Sequence, residues 1–229
     1  MPDPSPVQSD ADDRRAQRRA ARRADNRAEI LDAAEKVFGA DGLRAGSLRK
    51  IAAESGFSTA AIYLFFDNKQ HLLAETMRRR GDELLAAVRA AADSDLEPME
   101  ALHRIVDDTV AFFASRPAFR QLLRHIRGGP TITGPVLESY ADGGPTFDEV
   151  MAVIAAVVTE GQQRGEIRDG DARALAHLYS VLINEFVLLA ASGAAHNGSL
   201  TPAQFHSLID GALRLPTIDR SDIEPGARS

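Results

Sequence analysis

SLRKIAAESGFSTAAIYLFF, running from Ser47 to Phe66, is two short helical patterns separated by a turn. Ser47 can cap a first helix whose Leu48, Ile51 and Ala52 lie at i, i+3 and i+4 on one face. Gly56 suits a left-handed turn, and Ser58 can cap a second helix beginning at Thr59. Ala52, Gly56 and Ile62 each have a steric reason for their place. Two helices crossing steeply need a small residue at the crossing, a glycine in the tight turn and a branched side chain to plug the angle. That spacing is a helix-turn-helix. An ordinary αα-corner shows the same spacing, so the pattern alone leaves DNA binding as one of two readings.

Outward from this stretch the 3.6-residue period dominates and strand-like alternation is absent, so the fold class expected is all-α, with about nine helices. The first runs from about Asp25 to Ala40 on an apolar stripe of Ile30, Ala34, Val37 and Phe38, and Asp41-Gly42 ends it. After the two short helices a long one starts near Asn68 and stops at Asp93-Ser94. Met99–Ser115 and Ala118–Arg127 are separated at Arg116-Pro117, because the residue before proline is steered out of the α region. Gly128 to Pro145 reads as irregular. Phe147–Arg164, Asp171–Ser192 and Pro202–Leu215 follow, the last opened by a capping box, Thr201-Pro202-Ala203-Gln204. The expected organisation is a disordered basic arm over 1–24, a helix-turn-helix domain over 25–72, a ligand-binding and dimerisation domain over 73–216 and a flexible tail over 217–229.

The chain has 229 residues, a net charge of -6 and no cysteine, which excludes disulfides, thiolate zinc sites and cysteine nucleophiles and fits a cytoplasmic protein. The N-terminus lacks a signal peptide's basic and apolar regions, and the most apolar run, Leu178–Ser192, is shorter than the roughly 20 residues of a bilayer span. No membrane association is expected. Charge is unevenly placed. Residues 1–80 hold 15 Lys/Arg against 12 Asp/Glu, while the remainder holds 12 against 21, and from Arg14 to Arg80 the balance is 15 against 8. The overall negative charge thus conceals a basic N-terminal segment suited to a polyanion. Arg14, Arg15, Arg18, Arg19, Arg22, Arg23 and Arg27 supply much of it, either as an arm on DNA or as a merely solvated charge run.

Arg27, Ile30-Leu31, Ala33-Ala34, Phe38, Gly42, Ser47, Ile51-Ala52, Gly56, Ser58, Ile62-Tyr63, Phe66, Lys69 and Leu72 form an ungapped signature, including the aromatic-lysine ending YLFFDNK. Over these roughly 50 residues the chain resembles the TetR family of bacterial transcriptional regulators. The resemblance implies a DNA-facing set of Ser47, Leu48, Arg49, Ser58, Thr59, Ala60, Ala61, Tyr63, Leu64, Phe65 and Lys69, with the Thr59–Phe65 helix in the major groove. Arg49 could pair with guanine, Thr59, Ala60 and Ala61 could meet thymine methyls, and Tyr63 and Lys69 would hold phosphate. Competing readings are a core place for Tyr63 and plain solvation for Arg49. Phe65 departs from the family, where a hydrogen-bonding residue is common; packing is the reading left for it.

The resemblance further implies a repressor that binds a palindromic operator as a homodimer and is released by an unidentified small-molecule effector. Dimerisation would use Asp171–Ser192, apolar on nearly all sides, and Pro202–Leu215. Asn184 and Glu185 inside that apolar run then need partners, which favours a structural role over effector contact. Effector candidates are His103, Phe112, Phe113, Arg124, His125, Tyr140 and Asn184, although aromatics at helical spacing are commonly core. No cofactor is expected. A helical enzyme is the main rival, but there is no phosphate loop and no GxSxG. His71/Glu75 and His103/Asp107 share only i, i+4 spacing, so no metal site is expected. An architectural DNA-binding protein without an effector is the second rival.

Overall fold

A computed structural model describes residues 6–128, 144–191 and 200–215, with side chains described over 13–126, 146–187 and 200–215. Nine helices form among the described residues: α1 (Pro6–Ala45), α2 (Leu48–Ser55), α3 (Thr59–Tyr63), α4 (Lys69–Ala92), α5 (Pro98–Ala114), α6 (Pro117–Gly128), α7 (Gly144–Gln163), α8 (Ala172–Ala191) and α9 (Pro202–Leu213). Extended pairing among them is confined to one bridge between Ile167 and Arg214. The all-α expectation holds. Of the irregular stretch expected over Gly128–Pro145, Gly128 ends α6 and Gly144-Pro145 open α7; 129–143, Tyr140 included, lie outside the described residues, as does the expected tail.

Local chemistry sets most helix ends. Gly42, at φ 73, breaks α1 where Asp41-Gly42 was expected to end it. Asn68 accepts from the His71 amide at 2.8 Å to start α4, and Asp171 from the Ala174 amide at 3.0 Å to start α8. At α9 the capping box forms as expected, with Thr201 and Gln204 bonded reciprocally. One end differs: α1 begins at Pro6, not near Asp25, so the arm expected to be disordered is helical from residue 6 onward. Alanine and arginine have high helix propensity, and that local preference forms a helix here without any apolar period.

Packing groups the residues into two compact units and departs from a linear cut at residue 72. The first comprises the residues up to Arg80 together with Arg116 onward through α6; the second comprises Gly81–Ser115 with α7, α8 and α9. In the first, Ile30, Leu31, Ala34, Phe38, Ile51, Ile62, Phe66, Leu72 and Leu122 are all but fully buried. Each of these apart from Ala34 contributes about 1.5–3 kcal/mol relative to exposure. Here α6 lies against α1 because Gly39 has no side chain: a Cβ there would stand 2.4 Å from the Ala118 carbonyl oxygen. The second unit buries Met99, Leu102, Ile105, Ile154, Val158, Tyr179, Ile183, Phe205 and Ile209. Tyr179, wholly enclosed, donates its hydroxyl to the Leu102 carbonyl; burial, with Asp107 nearby, pushes its pKa well above the ordinary value.

Candidate nucleic-acid interface

Ser47 has extended backbone and its hydroxyl accepts from the Lys50 amide at 3.3 Å, which starts α2. Gly56 ends α2 in the left-handed region at φ 72, and Ser58 accepts from the Ala61 amide at 3.1 Å to start α3. These three residues orient two short helices around buried Ile51, Ala52 and Ile62. With one face of each helix committed to the core, the remaining side chains point outward. Arg49 is exposed on α2, Ala60 is exposed on α3 and Thr59 and Ala61 are half-buried beside it. Tyr63 is 54% exposed and Leu64 71%, so the core reading of Tyr63 does not hold. Leu48 and Ser47 are half-buried at the head of α2.

Phe65 packs, as its departure from the family pattern suggested. Its ring lies 5.4 Å from the Arg23 guanidinium carbon and 6.4 Å from the Phe66 ring. Lys69 is more constrained than the sequence implied: its ammonium donates to the Leu43 carbonyl, and burial lowers its pKa from the ordinary range. An ammonium carries three donors, so this bond is compatible with a phosphate as well.

Sequence reasoning missed what holds the outward faces in place. Arg23 donates to the Leu64 carbonyl at 3.3 Å, and Arg27 lies 5.2 Å over the Phe66 ring while paired with Glu75. Glu75 also accepts from Arg78 at 3.0 Å. The Arg78 bonds lower its carboxyl pKa, burial opposes them, and Arg27 adds to the lowering. Arg80 binds the buried Glu35 at 2.6 Å and Arg79 binds Asp32 at 2.5 Å, which fastens α1 to the middle of α4. Apart from Arg78 and Glu75, these partners are 41 to 48 residues apart in the chain, beyond the reach of a local pattern.

The effector candidates are dispersed. Arg124 and His125 lie on α6 in the first unit, with His125 Nε2 3.1 Å from the Gly39 carbonyl. Phe112 and Phe113 are buried in the second unit and meet edge to face at 5.2 Å. His103 Nε2 stands 2.9 Å from Asp210 without forming a hydrogen bond to it, and the ring stacks at 4.5 Å on His206, itself 3.0 Å from Asp107. Asn184 donates to the Ser180 hydroxyl at 3.5 Å and Glu185 is exposed. A cleft of about 270 Å³ in the second unit has Ser94, Asp95, Glu97, Glu160 and Arg164 in its wall, and none of the effector candidates lines it. Among the described residues no helix is long and apolar enough to cross a membrane.

Residues 30–76 match the family described as bacterial regulatory proteins, tetR family. The chain is 29% identical over 146 residues to the HTH-type transcriptional repressor KstR2 of Rhodococcus jostii, covering 62% of this chain and 69% of that protein. It is 31% identical over 81 residues to the nicotine-responsive transcriptional repressor HdnoR of Paenarthrobacter nicotinovorans, an alignment spanning 35% of this chain and 42% of that repressor. In fold it is similar to the transcriptional regulator FadR of Bacillus subtilis solved with stearoyl-CoA, at a TM-score of 0.68 and 18% identity over 80% of this chain and 95% of that one. The capped pair of short helices falls inside the matched residues, and the helices beyond them follow the same architecture. Residues 30–76 therefore carry the match to bacterial regulatory proteins of the tetR family, and the chain is similar in sequence to HTH-type transcriptional repressors and in fold to a transcriptional regulator.

Proposed function

We propose that the protein is a cytoplasmic repressor that binds a palindromic operator as a homodimer and is released by a small-molecule effector, acting by binding and not by catalysis. The observation that carries this reading is the outward face of α2 and α3, with Arg49, Ala60 and Tyr63 exposed while Ile51 and Ile62 anchor the same helices in the core. One five-residue helix spans too few base pairs for specificity, which calls for a second copy. A site for that copy is available in the second unit. Leu178 and Val181 on α8 and Leu208 on α9 are exposed, although the buried faces of both helices are filled, Phe186 stacking on Phe205 at 4.3 Å. Pairing such helices across a two-fold axis would bury both apolar rows in a four-helix bundle.

Release by an effector is supported by relatives: one is named for its response to nicotine, and a similar fold was solved with stearoyl-CoA. In this reading the effector binds within the second unit. The reading is tested by footprinting on DNA flanking the protein's own gene, with and without candidate effectors. Two protected half-sites about one helical turn apart, or a multiple of it, and lost on adding an effector, are expected. An asymmetric single half-site at stoichiometric binding would overturn the dimeric reading.

A further inference from the structure

We propose that the Arg14–Arg23 segment of α1 is a second DNA-contacting element, which lies along the phosphates of duplex next to the half-site and reads no bases. This rests on the operator reading above. In a helix of 3.6 residues per turn, Arg14, Arg15, Arg18, Arg19, Arg22 and Arg23 fan over about half of the circumference, and Ala16, Gln17, Ala20, Ala21 and Ala24 fill the other half. All eleven are exposed. Neither side has an apolar row, so the segment has no face for a core or for a lipid interface, where an amphipathic helix needs bulky apolar residues.

The arginine side is self-repelling. Arg14/Arg18, Arg15/Arg19, Arg18/Arg22 and Arg19/Arg23 stand at i, i+4, where like charges oppose helix formation. A facing polyanion converts that repulsion into attraction, and duplex DNA is the polyanion this protein binds. The segment is also placed for it. Its C-terminal end is tied to the reading helix, Arg23 donating to the Leu64 carbonyl and covering the Phe65 ring, while Arg27 one turn on is held by Phe66 and Glu75. From that anchor ten residues of helix extend about 15 Å, the axial rise of four to five phosphates on one strand. Exposed arginines fanned over one side of a single helix offer charge to phosphates with little sequence discrimination.

The test changes Arg14, Arg15, Arg18, Arg19 and Arg22 together to glutamine, which preserves helix propensity, and leaves Arg23 and Arg27 in place. Affinity for operator and random duplex is measured against salt, with hydroxyl-radical footprints and thermal melts of the same proteins. Each lost phosphate contact flattens the log–log salt slope by about 0.9, so a change of roughly 2 to 4 units and at least a tenfold weakening near physiological salt are expected. Operator and random DNA should weaken by the same factor, with protection retreating from sequence beside each half-site. Lysine at the same five positions should restore the slope. A folded glutamine variant with unchanged slope and footprint overturns the arm alone, and so does a selective loss of operator preference. A parent protein that protects no duplex overturns the operator reading and the arm with it.

Discussion

Arg49 and Lys69 are both basic residues beside the helix-turn-helix, yet their surroundings assign them different work. Arg49 is exposed and clear of the core, whereas the Lys69 ammonium is held on the Leu43 carbonyl at the end of α1. Arg49→Ala should therefore reduce preference for operator over random DNA, by about 1 to 3 kcal/mol or roughly 5- to 150-fold, with little change in Tm. Lys69→Ala should flatten the salt slope by about one unit for both DNAs, and should also lower Tm because the Leu43 carbonyl loses its donor. Titrations on both duplexes with parallel melts check the pair. A lower Tm with an unchanged slope would make Lys69 a structural residue only. At this scale Arg49 was legible in the sequence and the Lys69 bond was not, since Leu43 is 26 residues away and nothing local pairs an ammonium with one carbonyl among many.

At the scale of elements, α1 is the member that α2, α4 and α6 all meet in the first unit. It packs on α2 and α6, is bound to α4 through Glu35–Arg80 and Asp32–Arg79, and carries the arginine arm at its other end. Gly39 controls one of these contacts. Gly39→Ala would drive a methyl into the Ala118 carbonyl, and backbone cannot yield as a flexible side chain can. A loss of about 1 to 3 kcal/mol is expected, or roughly 2–4 °C in Tm per kcal/mol for a chain of this size, read by calorimetry. An unchanged Tm would mean that α6 can slide along α1 without cost. The ends of α2, α3, α4, α8 and α9 could be read from Ser47, Ser58, Asn68, Asp171 and Thr201, because a cap acts within three residues of its own position. The start of α1 could not, since an exposed helix leaves no apolar period to find.

For the whole molecule the central expectation is the homodimer. Leu208, 42% exposed, and Val181, 43% exposed, are the probes to use; Leu213, on the same helix as Leu208, is 1% exposed and belongs to its own protomer's core. Val181→Arg with Leu208→Arg should yield a folded monomer by sedimentation and lower operator affinity at least tenfold, since the two half-sites are then bound independently. A folded double variant that stays dimeric would place the interface elsewhere. Leu213→Arg, by contrast, should unfold the second unit, because it forces a charge into an apolar interior.

By itself the sequence determined the helical class, the helix-turn-helix and the family resemblance of its N-terminal part, because these depend on periodicity, caps and a turn glycine acting over a few residues. It also set the charge asymmetry that marks the N-terminal end as the side for a polyanion. Only the tertiary structure decided which helices share a unit, with α6 joining α1 across the missing side chain of Gly39, and which residues of an all-round apolar helix remain exposed. It likewise turned His103 toward Asp210 and His206, and Phe65 toward Arg23. Those choices depend on partners tens of residues distant, where close packing and the need to pair each buried polar group select one arrangement among many that share the same local pattern.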